Sequence, residues 1–149
     1  MIRLNRTTEY GLLALSHMSN KQALDDASVT SAREVADSYG LPFEILAKTL
    51  QRLKDTGLIH SAQGARGGYT LQKPLAEITL AEFLDLMEGP QAVVACASGP
   101  KEMASPCELN PRCGIHGPMQ QLNTRVVGFL SSIRLSEIAG TQIAGVKAS

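Results

Sequence analysis

The chain contains no tryptophan, and three phenylalanines and three tyrosines hold its aromatic share to 4%. Its core must therefore rest on Leu, Ile, Val, Ala and Met. An excess of one charge sign is also missing, since 14 basic residues balance 14 acidic ones and the net charge is zero. Such a chain has no overall attraction for nucleic acid. No apolar run approaches the ~20 residues of a membrane span. The run Gly11 to Leu15, closely flanked by Glu9 and His17, is too short for a signal-peptide core. These absences predict a cytoplasmic protein with no membrane partner. Cysteine is scarce: the three residues, all between Cys96 and Cys113, do not form the even-numbered framework of a secreted disulfide protein. Clustered thiols in a reducing compartment more often bind metal or sense redox state. Also absent are a Ser/His/Asp constellation, a phosphate loop and paired carboxylates, so the chain is not expected to be an enzyme.

What is present points to an ordered protein. With 149 residues and 44% hydrophobic side chains, one domain or one domain plus an appended element is expected. A chain of this size buries roughly 68–70% of its unfolded surface and needs no staples. The neutral total hides an uneven distribution. Between Val29 and Lys73 six basic residues face four acids, whereas between Glu77 and His116 two face six. The positive excess falls where the pattern below places a DNA-binding element.

Apolar residues Leu12 to Leu15 mark a first helix over about Thr7 to Ser19. Ser31 and Glu34 form a capping box that opens a short helix ending at Gly40. Pro42 then takes a first helical position. Phe43, Leu46, Leu50 and Leu53, spaced by 3, 4 and 3, give the next helix one apolar face, with Glu44, Lys48, Gln51, Arg52 and Asp55 opposite. Strands Leu58 to Ser61 and Tyr69 to Leu71 flank the glycine-rich run Gln63 to Gly68, which reads as a wing. Thr79 and Glu82 cap a further helix that stops at Gly89. After Pro118 a long helix carries Met119, Leu122, Val126, Leu130 and Ile133, a stripe suited to a coiled-coil-like seam. The expected fold is mainly α with a small β-wing: a winged helix-turn-helix plus a long dimerisation helix. Residues 1–90 would form the DNA-binding domain, 91–117 the cysteine-containing loop, and 118–140 the dimerisation helix with the C-terminal segment.

Two groups of residues carry chemistry. A recognition helix lies in the major groove while the wing and preceding helix grip phosphates. Lys48, Gln51 and Arg52 face away from the leucine stripe, and Gln and Arg suit adenine and guanine edges. Arg66 at the wing tip, Gly67 and Tyr69 beside it, and Ser31 with Thr30 before the short helix are candidates for backbone contact. In the second group, five residues separate Cys107 from Cys113, His116 follows three positions later, and Cys96 lies upstream. Three thiolates and an imidazole suit an iron–sulfur cluster. They suit zinc equally, and a redox disulfide or free loop thiols fit the same spacing. Glu9 is a further candidate ligand, although an acid in a first helical turn also simply complements the helix dipole. His17 and His60 read as ordinary helix-face and strand residues. A winged-helix module that binds protein rather than DNA is the remaining alternative.

Taken together, these residues resemble the Rrf-type family of bacterial winged-helix iron–sulfur transcription regulators. The resemblance spans nearly the whole chain. It rests on Thr8-Glu9-Tyr10-Gly11-Leu12, Leu53-Lys54-Asp55-Thr56-Gly57-Leu58, the wing run Gly64 to Leu71, Ile78-Thr79-Leu80, the three cysteines, and Gly128-Phe129-Leu130 leading to Leu135-Ser136-Glu137-Ile138. It implies a homodimer on a palindromic double-stranded operator. It also implies an iron–sulfur cluster, [2Fe–2S] in preference to [4Fe–4S], on Cys96, Cys107 and Cys113. The fourth ligand would be His116 or Glu9 of the partner, so that redox state, nitric oxide or iron status switches operator affinity. Relatives often keep five residues between the first two cysteines, whereas ten separate Cys96 from Cys107 here.

Overall fold

A computed structural model describes residues 3–63, 67–93 and 112–139. Within them run α1 (Arg6–Leu24), α2 (Ala32–Tyr39), α3 (Phe43–Asp55), β1 (Ile59–Ala62), β2 (Gly68–Leu71), α4 (Leu80–Glu88), α5 (His116–Ser132) and α6 (Leu135–Ile138). A single 3-10 turn, Leu75–Glu77, separates β2 from α4. This is the expected helical fold with one antiparallel two-stranded sheet. The described residues divide into two compact units, one formed by residues 3, 79–93 and 112–133, the other by 4–63, 67–78 and 134–139.

In the larger unit α1 packs on α3, α2 packs on α3, and the sheet follows α3 directly. The expected leucine stripe is the centre of this core. Leu46, Leu50 and Leu53 are wholly buried, with Leu15, Met18, Val35 and Ile59 beside them. Each such side chain contributes roughly 1.5–3 kcal/mol by leaving water. The helix starts follow the capping logic. Asn5 accepts from the Thr8 N–H at 2.8 Å, and Ser31 accepts from the Glu34 N–H at 3.1 Å. Such caps satisfy amide donors that a first helical turn cannot pair internally. Gly40 ends α2 with φ +64°, a conformation that a Cβ penalises.

Three expectations for this unit need correction. The first helix reaches Leu24 rather than Ser19, because Lys21 in its last turn is held by the Val29 carbonyl and by Glu34. Pro42 precedes α3 as its cap and does not occupy its first turn. Phe43, expected on the apolar face, is 38% exposed and lies beneath Arg33.

In the smaller unit, Thr79 caps α4 by accepting from the Glu82 N–H at 3.1 Å. Helix α4 packs on α5. Phe83, Leu84, Met87 and Leu130 are buried. Helix α5 begins two residues before Pro118 and stops at Ser132, earlier than expected, because Ile133 leaves the helical conformation. The Ile133 carbonyl accepts instead from the Leu80 N–H at 2.8 Å.

Candidate nucleic-acid interface

The wing is anchored by a contact that periodicity does not reveal. Thr30, buried in the loop before α2, pairs with Tyr69 of β2 in a two-residue bridge. The Thr30 N–H donates to the Tyr69 carbonyl at 2.9 Å, and the Tyr69 N–H returns a bond to Thr30 at 2.7 Å. A Cβ at Gly68 would stand 2.9 Å from the Thr30 carbonyl oxygen, so glycine is what allows this approach. The glycine pair before Tyr69 was the legible trace of it. The bridge brings together three of the expected backbone-contact residues: Ser31 at the start of α2, Gly67, and Tyr69. Between α2 and Gly67 lies an open cleft of about 660 Å³, lined also by Lys21, Ser28 and Glu34.

The first turn of α2 is fixed from behind. The Lys21 ammonium donates to both Glu34 carboxylate oxygens at 2.8 and 2.9 Å. His17 approaches the same carboxylate at 3.7 Å, and its other ring nitrogen lies 3.2 Å from the Tyr39 hydroxyl. Burial pushes the Glu34 carboxyl up, but the Lys21 hydrogen bond and charge, with His17 and the Ser31 backbone N–H, leave it below its usual value. Burial alone raises Tyr39.

Lys48, Gln51 and Arg52 are exposed on α3, on the side away from the leucines. The Gln51 amide nitrogen donates to Asp55 at 3.0 Å. Arg66 lies outside the described residues, as do Cys96 and Cys107. The remaining expected ligands fall at two places. Cys113 is a partly buried free thiol just before the turn into α5, and His116 is the first residue of that helix. Glu9 is exposed in the first turn of α1 and pairs with Arg6 at 3.5 Å. Among the described residues no three such side chains gather into a metal site. A partly accessible thiol and an imidazole on one short segment nevertheless form a donor set suited to thiophilic iron or zinc. No helix among the described residues is long and apolar enough to cross a membrane.

Comparison with known proteins bears on this arrangement. Residues 4–141 match the family described as Rrf2, iron-dependent transcriptional regulator. The HTH-type transcriptional regulator IscR of Photorhabdus laumondii is 28% identical over 137 residues, covering 92% of this chain and 80% of that protein. Its Escherichia coli counterpart is 25% identical over the same length, covering 92% and 82%. Among solved structures, CymR, the global cysteine regulator of B. subtilis, superposes with a TM-score of 0.68 at 24% identity, covering 93% of this chain and 97% of that one. T. potens IscR gives 0.63 at 18% identity, covering 92% and 85%.

Proposed function

The chain belongs to the Rrf2 family of transcriptional regulators, and from that premise we propose a cytoplasmic homodimer whose hold on a palindromic operator is switched by an iron–sulfur cluster. In this reading Lys48, Gln51 and Arg52 meet base edges. Ser31, Gly67, Tyr69 and Arg66 meet the backbone. The observation that carries it is the meeting of Ser31, Gly67 and Tyr69 through the Thr30 bridge, on the unit that also presents the polar face of α3.

The dimer is inferred from α5. The expected stripe included Leu130 and Ile133, but Leu130 is already buried and Ile133 lies beyond the helix. Met119, Leu122, Val126 and Phe129, spaced by 3, 4 and 3, are left as the seam. Leu122 is 43% and Phe129 64% exposed in the single chain. A heptad seam left open on one copy is completed by the same seam on a second.

The sensor is the segment that precedes this helix. Cys96, Cys107 and Cys113 would hold the cluster, with His116, or Glu9 of the second copy, as fourth ligand. When bound, the group supplies a centre reactive toward oxidant and nitric oxide. The chain's own part is to tie the cysteine segment to the first turn of α5, so that ligand loss changes how the seam is presented.

Anaerobic purification tests the reading. Brown protein with visible absorption is expected, and Cys113→Ala should abolish the colour and change operator affinity several-fold while the dimer persists. Colourless protein carrying zinc, or a thiol–disulfide response instead, would move the sensor to those chemistries. The partly accessible Cys113 thiol allows both. Absence of salt-dependent binding to any palindrome would leave a protein-interaction module.

A further inference from the structure

Arg33 is the second residue of α2, and Phe43 is the first residue of α3. The Arg33 guanidinium carbon lies 4.1 Å from the centre of the Phe43 ring, well inside cation–π range. Both side chains are exposed. A stacked guanidinium has one face covered and its direction set, while its in-plane N–H groups stay open toward an oxyanion. Among the described residues no carboxylate comes within ion-pair distance of it. The neighbouring Glu34 is committed to Lys21. A cation in the first turn of a helix has the wrong sign for the helix dipole. Beyond the Phe43 contact the free protein therefore gains little electrostatically from the position, and an incoming anion gains much.

In a helix-turn-helix the first helix crosses the DNA backbone, and the second lies in the major groove with its N-terminal residues at the bases. We propose that Arg33, held by Phe43, is a DNA-phosphate anchor that sets how α3 enters the groove. The proposal rests on the DNA-binding reading and adds two residues to it. Phe43 is a positioning residue in this scheme, acting through Arg33.

The test uses full-length protein and a duplex selected by that protein from a randomised library, titrated between 50 and 200 mM salt. Loss of one phosphate contact per protomer, two per dimer, in Arg33→Ala should make the log–log salt slope shallower by about 1.8. The fall in affinity across that range then shrinks about 12-fold, by the same factor for every operator variant. Arg33→Lys should keep the slope but bind more weakly than the native protein. Phe43→Leu should also keep the slope and lose affinity, and Phe43→Tyr should restore it. An unchanged slope in Arg33→Ala, or a loss confined to one base pair, overturns the anchor. Lys48→Ala in the same titrations separates the two readings. If it weakens binding while Arg33→Ala does not, the anchor alone fails. If the library yields no preferred duplex and both variants are silent, the DNA-binding reading fails and the anchor with it.

Discussion

Helices α3 and α5 carry apolar stripes of the same period but reach opposite ends. Leu46, Leu50 and Leu53 of α3 vanish completely beneath α1 and α2, whereas α5 buries Leu130 and leaves Leu122 and Phe129 in water. Periodicity says that a face must be covered. It does not say by what. One stripe is finished within its own unit, and the other waits for a second chain in the reading proposed above. The two should therefore respond differently to the same kind of mutation.

The sharpest contrast is Leu50→Ala against Leu122→Ala. The first should cost about 2–5 kcal/mol, since a buried leucine leaves a cavity. The second should leave the unfolding of an isolated subunit almost unchanged and weaken association instead. Urea unfolding of each variant beside the native protein at two protein concentrations separates them, because only the loss caused by the second should change with concentration. Equal, concentration-independent losses would break the comparison. Leu122→Asp with Phe129→Asp should halve the mass seen by sedimentation and abolish operator binding; an intact dimer would refute the seam.

A contrast of smaller size sits within the wing. Gly68→Ala should cost roughly 1–3 kcal/mol, because its Cβ would press on the Thr30 backbone. Gly67→Ala meets nothing within 4 Å and should be nearly silent in a thermal melt. If both are silent, the bridge between Thr30 and Tyr69 does not hold the wing.

The smallest effect is electrostatic. Glu34 has a lowered carboxyl, so its contribution is fully present above the ordinary carboxylate range of the unfolded chain. That contribution fades as pH falls through the lowered folded value. Glu34→Gln should remove this acid-side dependence and leave the neutral side lower but flat. A native-like pH profile in the variant would show that Lys21 does not depend on Glu34. The effect is modest because both partners are about one-third exposed and solvent screens the pair.

Much of this was open to reading from the chain alone. Ser31 with Glu34 and Thr79 with Glu82 named two helix starts correctly, because a cap is a local device made from residues three positions apart. The leucine stripe and the wing strands were legible for the same reason. The candidate interface was legible residue by residue, but not in its assembly. Thr30 meets Tyr69 across 39 positions, and no local rule relates them.

What the sequence by itself determined is the set of helices, their polar and apolar sides, and the family to which such a set belongs. These depend on hydrogen bonds and side-chain spacing within a few residues. Only the tertiary structure decided that Phe43 supports an arginine instead of filling the core. It also decided that Lys21 extends α1 by reaching Val29 and Glu34, and that Gly68 is needed for close approach. Each of these depends on which surfaces meet, a choice made by packing the whole unit and written in no single stretch of chain.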